Sequence, residues 1–306
     1  MMTSTACLRS VVQRRQLATY FGLTFAISWA IWLGLIIGSV PIQTLMGAVL
    51  NVVAIAGPSI AALVLAAMLG RGELRRLLAG FSRSRLSVRW TAVALVLPLA
   101  IMAAAVAVSV AAFGAPHPAA TFSLSGVVLA EFLRVLFLGG PMQEELGWRG
   151  FALPRLQQHR NALDASILLG LVWGFWHLPL YFVLGTGQSD MLTAGTSPAF
   201  AIGGFIGWTI GLSVLFTWLF NQTGGSLIVV ILFHAAVNLA AFLPTAVGSG
   251  GAAPLLNVLI TWLVAILVVV RCGRPRLVSP PPAEVATVKR APRHPPPRVH
   301  ISPPPR

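Results

Sequence analysis

The chain has 306 residues, of which 57% are hydrophobic and only 9% charged. A soluble domain carries about 25% charged residues, so this composition excludes a water-facing surface all round and points to lipid as the solvent. The formal net charge of +14 does not indicate nucleic acid, because the arginines sit in short connections and at the C-terminus rather than on one amphipathic face.

A spanning helix needs about 20 mostly apolar residues. Apolar stretches of that kind are predicted near 17–38, 47–69, 90–113, 124–140 (continuing as helix past 150), 163–184, 199–220, 226–245 and 254–271. The expected fold class is therefore all-α, a polytopic membrane protein of about eight transmembrane helices. The first apolar run is longer than the 7–15 residues of a signal-peptide core, so it reads as a retained anchor. The expected organisation is an N-terminal cytoplasmic segment over 1–16, a transmembrane domain over 17–271 and a tail over 272–306.

Lys and Arg concentrate on the cytoplasmic side of membrane proteins. Arg9, Arg14 and Arg15 precede the first span, and Arg71, Arg75, Arg76, Arg83, Arg85 and Arg89 fill the second connection. Arg155 and Arg160 lie in the fourth, and Arg271, Arg274 and Arg276 follow the last span. The first, third, fifth and seventh connections contain no Lys or Arg. The protein is thus expected to be integral to a bacterial cell membrane with both termini cytoplasmic. Residues 273–306 are rich in Pro and basic, ending Ser302-Pro303-Pro304-Pro305-Arg306, a composition that favours extended chain and builds no core. Cys7 and Cys272 form no CxxC or zinc pattern and are expected as free thiols.

The whole chain has 7 acidic residues, and Glu131, Glu144 and Glu145 fall within or beside the fourth apolar stretch. Ionisable groups in that setting cost several kcal/mol and are functional candidates by default. Gly139-Gly140-Pro141 can kink or restart the helix just before them. Glu145 and Arg149 are four apart and can pair on one face, which leaves Glu144 about 100° round the helix. The fifth stretch carries Trp173-Gly174-Phe175-Trp176-His177, and the seventh carries His234 and Asn238 four apart on one face. Glu144 and His177 flank the 158–161 turn at similar distances, so an antiparallel hairpin brings them level, and the three helices are expected to converge toward the cytoplasmic half of the membrane.

Glutamate beside histidine suits general acid–base work on water, and Asn and His can donate to a developing oxyanion. Those are the parts of amide hydrolysis. No HExxH and no serine–histidine–acid set occurs in the spans.

Glu144-Glu145-x-x-x-Arg149, an aromatic residue four before His177, and His234-x-x-x-Asn238 together resemble the three motifs of the CAAX protease and bacteriocin-processing family, which includes the type II CAAX prenyl endopeptidases. The resemblance extends over roughly 40–270, with Gly57-Pro58 and the Gly147-Trp148-Arg149-Gly150 run also fitting. One departure is Trp173, where the family pattern more often has phenylalanine. The resemblance implies an intramembrane endopeptidase in which Glu144 activates water with His177 as partner, His234 and Asn238 hold the oxyanion, and Glu145, Arg149 and Trp173 support the site. It implies a peptide or lipidated-peptide substrate within the lipid bilayer and no nucleic-acid partner. No obligatory cofactor is expected. The alternative is a divalent metal such as zinc on Glu144, His177 and His234. Two rivals use the same residues: a non-catalytic binding or bacteriocin-immunity protein on this scaffold, and a proton-coupled transporter. A transporter more often shows two matching halves with broken helices, and no matching half is seen.

Overall fold

A computed structural model describes residues 15–82, 87–114, 124–242, 244 and 252–278. The expected N-terminal segment therefore lies outside the described residues up to 14, and so does the Pro-rich tail from 279 onward.

Every regular element among the described residues is helical. In chain order they are α1 (Gln16–Ile37), α2 (Leu45–Ile55), α3 (Gly57–Leu69), α4 (Arg71–Ser82), α5 (Val88–Phe113) and α6 (Leu124–Leu138). Next come α7 (Pro141–Glu145), a π-helical stretch (Leu146–Ala152), α8 (Leu153–Leu156), α9 (Ala162–Trp176) and a 3-10 turn (Leu178–Tyr181). The last are α10 (Gly187–Thr193), α11 (Pro198–Gln222), α12 (Leu227–Ala240) and α13 (Ala253–Cys272). This is an integral membrane protein built of α-helices.

Four helices, α1, α5, α11 and α13, are long and apolar enough to cross a membrane, and the α2–α3 pair, bent by 47°, makes a fifth. Among the described residues that measure does not reach the expected count of about eight. Glycine and proline break two of the remaining stretches. The fourth stretch breaks at Gly139-Gly140, with Gly140 at φ +113°, and restarts with Pro141 at the head of α7. The fifth ends at Trp176 rather than running to 184, because Pro179 follows and the chain tightens into the 3-10 turn.

Each proline break leaves a carbonyl without its helical N–H, and a side chain from the protein interior replaces it. Pro58 cannot donate to Ala54, and Ser28 Oγ donates to that carbonyl at 2.7 Å. Pro141 cannot donate to Phe137, and Gln143 Nε2 does so instead. The last carbonyl of α9, on Trp176, receives the Trp29 indole N–H at 3.0 Å.

Small residues bring the helices that carry the site into contact. A Cβ on Gly170 would lie 2.6 Å from the Ile210 Cα, and one on Gly174 would lie 2.6 Å from Thr209 Oγ1, so α9 lies directly on α11. A Cβ on Gly147 would lie 2.4 Å from the Pro58 carbonyl oxygen, which seats the π-helical stretch on α3. The Arg155 guanidinium gathers one end of the bundle. It donates to Gln16 Oε1 at 2.7 Å, the Phe151 carbonyl at 3.0 Å and Glu73 Oε2 at 2.8 Å.

Residues 272–278, assigned from sequence to the tail, are part of this packing. Ala162 N and Leu163 N donate to the carbonyls of Pro275 and Arg274 at 3.0 and 3.2 Å, and Leu277 is buried. They occupy the free N–H groups at the start of α9, which a loose tail would leave to water.

Candidate active site

Glu144 and Glu145 are neighbours in sequence but have different surroundings. Glu145 is fully buried and binds Arg149 twice, Nη1 donating to its two oxygens at 2.8 and 3.0 Å. Its Oε1 also accepts the His234 Nδ1–H at 2.7 Å. Arg149 is equally buried, and its guanidinium lies over the Phe216 ring at 3.9 Å and the Trp173 ring at 4.8 Å. Ring faces attract a desolvated cation, so one carboxylate and two aromatic faces hold this charge in the interior.

Glu144 is buried without a cation on it. Its Oε2 accepts two indole N–H groups, from Trp173 at 2.8 Å and Trp148 at 3.2 Å. These are the hydrogen bonds its carboxylate makes among the described residues, which leaves Oε1 to face the interior space. Trp148 stands four residues after Glu144, the same spacing that pairs Glu145 with Arg149. Sequence reasoning quoted Trp148 only as part of a flanking run and assigned it no contact. The spacing was the signal.

His177 caps the C-terminus of α9. Its Nδ1 is 2.8 Å from the Trp173 carbonyl, and since a carbonyl only accepts, Nδ1 carries the proton and Nε2 is left for other chemistry. His234 is in the same position, with Nδ1–H given to Glu145. Trp173 meets both imidazoles edge to face, with centroids 5.6 Å from His177 and 5.5 Å from His234. It is thus more than an aromatic wall. A phenylalanine at this place would keep the ring contacts but could not donate to Glu144. Asn238 gives one amide proton to the Gly139 carbonyl at 3.0 Å and keeps the other.

Glu144, Trp173, His177, His234 and Asn238 line one cavity of about 330 Å³, together with aromatic residues from α9 and α11. The structure thus brings the four expected catalytic residues to one space. Glu145 and Arg149 stand behind it, as the four-residue spacing suggested. Two expectations change. His234 is oriented by Glu145, a contact not read from the sequence. The site does not sit toward the arginine-bearing end: because α9 stops at Trp176, His177 lies at the opposite end of its helix, about 22 Å along from Ala162.

The alternative metal set of Glu144, His177 and His234 is not gathered as a ligand group. Among the described residues no group of three His, Cys, Asp or Glu side chains is arranged to hold an ion. No step below runs through a metal.

Residues 126–240 match the family Type II CAAX prenyl endopeptidase Rce1-like. A stretch of 111 residues is 35% identical to the CAAX prenyl protease 2 of Methanococcus maripaludis, covering 36% of this chain and 40% of that protein. The chain therefore aligns with well under half the length of this relative. The match is narrower than the 40–270 suggested by the motifs, but it includes both glutamates, Arg149, Trp173, both histidines and Asn238. Over residues 126–240, which carry the whole candidate site, this chain is thus similar to the Rce1-like type II CAAX prenyl endopeptidases.

Proposed function

We propose that this protein is an intramembrane endopeptidase that hydrolyses a peptide bond with a glutamate-activated water. The observation that carries the proposal is the pair of unlike carboxylates. Glu145 is neutralised by Arg149, whereas Glu144 is held only by neutral N–H donors and shares a cavity with two histidines and an asparagine. A carboxylate with one fixed and one free oxygen is suited to take a proton from water.

In this reading water bound between Glu144 Oε1 and His177 attacks the scissile carbonyl carbon as Glu144 takes its proton. The carbonyl oxygen becomes the oxyanion of a tetrahedral intermediate. The free Asn238 amide proton donates to it, and so does His234 from Nε2 when its ring carries both protons. The C–N bond then breaks, the proton held on Glu144 passes to the leaving nitrogen, and the products are a carboxylic acid and an amine, the acid then giving its proton to the amine. Trp173 and Trp148 keep the base in one orientation throughout. The relative's name points to prenylated CAAX peptides as the first substrates to try.

The test is cleavage of a fluorogenic prenylated peptide and a panel of membrane peptides by purified protein, comparing wild type with Glu144→Gln, each with and without a chelator. Gln keeps size and removes the base. Wild type is expected to cleave and Glu144→Gln to lose about 10²–10⁴-fold in rate with its fold intact, the usual weight of a general base. Equal turnover by the two proteins would overturn the reading, and chelator sensitivity would show a metal that the donor geometry does not suggest.

A further inference from the structure

The cavity and the arginines of the connections lie at opposite ends of the bundle; Arg134, which lines the cavity, is ion-paired with Glu131. Arg71, Arg75, Arg76, Arg155, Arg160 and Arg276 are on the connections at one end, where α3, α8, α11 and α13 finish. At the other end the connections 38–44 and 177–197 contain no Lys or Arg, and in the sequence neither does the stretch between α5 and α6 or that between α12 and α13.

α11 serves as a ruler, because it runs the full depth, from Pro198 at the end away from the arginine cluster to Gln222 at the other. The His177 ring touches the Phe205 ring, with centroids 5.0 Å apart. Phe205 lies about 10 Å from the Pro198 end and about 25 Å from the Gln222 end at 1.5 Å per residue. Tyr181, just beyond His177, donates to the Ala201 carbonyl at 3.0 Å, closer still to the Pro198 end. From α11 the cavity is lined by Phe205, Trp208, Thr209 and Leu212 and by nothing nearer Gln222.

Burial follows the same direction. The floor residues Glu144 and His234 are 4% and 3% exposed. The rim includes Gln188, Ala241 and Phe242, which are partly or well exposed and belong to the end away from the arginine cluster, and the exposed Arg134 of α6, which is ion-paired with Glu131. Between the cavity and the arginines the interior is shut: Leu215, Phe216, Leu219, Trp148, Arg149 and Phe151 are all fully buried.

We propose that the cavity is entered from the face opposite the arginines, which the positive-inside rule makes the extracytoplasmic face, and that its substrate is a peptide segment bearing apolar side chains presented on that side. The aromatic lining formed by Trp173, Trp176, Phe205 and Trp208 suits such a segment. The sidedness rests on the cavity and the charges alone; the substrate rests on the peptidase reading.

The full chain, with Cys7 and Cys272 replaced by serine, is expressed in a bacterial inner membrane. One cysteine is placed at Gln188 or at Gln158, and intact cells are treated with a membrane-impermeant maleimide. Gln188→Cys is expected to react in intact cells and Gln158→Cys only after permeabilisation; the reverse pattern overturns the sidedness. A second arm supplies a charged, impermeant fluorogenic peptide with an apolar core to sealed right-side-out and inverted vesicles. Cleavage is expected in the right-side-out preparation only. Cleavage confined to inverted vesicles overturns this inference but leaves the peptidase reading standing. Cleavage in neither vesicle nor detergent, with the expected labelling, overturns the peptidase reading and the substrate but leaves the sidedness standing.

Discussion

Replacing Glu145 by Gln separates structural from chemical roles in the charged cluster. Among the described residues Glu145 is the one carboxylate in contact with Arg149, and both side chains are fully buried. Arg149 Nε and Nη2 make no hydrogen bond among the described residues, so loss of Glu145 charge leaves the cation to the faces of Phe216 and Trp173. Breaking a buried ion pair from one side costs about 3–5 kcal/mol. The Gln amide oxygen retains one Arg149 bond worth about 1 kcal/mol, so the expected loss is about 2–4 kcal/mol, a large part of a stability of about 5–15 kcal/mol. The assay is a denaturation midpoint in detergent, read beside peptide turnover. The double variant Glu145→Gln with Arg149→Met removes both charges, so no unpaired cation is left in the interior. It is expected to regain most of the stability. Turnover is expected to stay low, because His234 Nδ1 still lacks its carboxylate. If Glu145→Gln is as stable as wild type, or if the double variant recovers activity, the assigned role of Glu145 is wrong.

Trp173→Phe keeps the ring and removes one donor to Glu144, with Trp148 still in place at 3.2 Å. A hydrogen bond to a charged group is worth about 1.5–3 kcal/mol, so the unfolding midpoint is expected to drop and kcat to fall about 10–150-fold with KM nearly unchanged; an unchanged kcat would reduce Trp173 to a wall. Gly140→Ala places a Cβ 2.5 Å from Glu144 Oε1 at a backbone φ of +113°, and is expected to abolish most turnover and to cost about 1–3 kcal/mol of strain, read as a lower unfolding midpoint. Gly147→Ala drives a Cβ into the Pro58 carbonyl at 2.4 Å, so the yield of folded protein on size exclusion is expected to drop; a normal yield would mean α3 can move away from the π-helical stretch.

The membrane class and the site membership were legible because both rest on local patterns. Apolar length marks a span, and four-residue spacing pairs Glu145 with Arg149. What the sequence left unread depended on breaks and on long-range donors. Gly140 and Pro179 shorten two of the predicted spans, and that shift moves His177 to the far end of α9. The direction of the cavity follows from where a helix stops, which an apolar average does not register. The contact from His234 to Glu145 joins α12 to α7, 89 residues apart, and no spacing rule reaches that far. Trp173 was read by its hydrophobic body, while its N–H supplies the shorter of the two bonds to Glu144.

Two adjacent carboxylates in an apolar interior would repel if treated alike, and this fold treats them differently. Glu145 has a cation bound to it whatever Glu144 does, so a proton arriving at Glu144 unpairs nothing. Glu144 has only dipoles to hold it, and dipoles fix direction without fixing charge. The π-helical stretch that begins at Leu146 helps to make this division possible. Within it Trp148, Arg149, Phe151 and Ala152 are all buried, more inward-facing residues than one stripe of an α-helix presents. It lets the turn after the glutamates send an indole to one and a guanidinium to the other. An insertion or deletion of one residue between Glu145 and Trp148 would rotate one partner out of reach. Such a variant is expected to lose both the neutralised pair and the oriented base together, which no single side-chain substitution does.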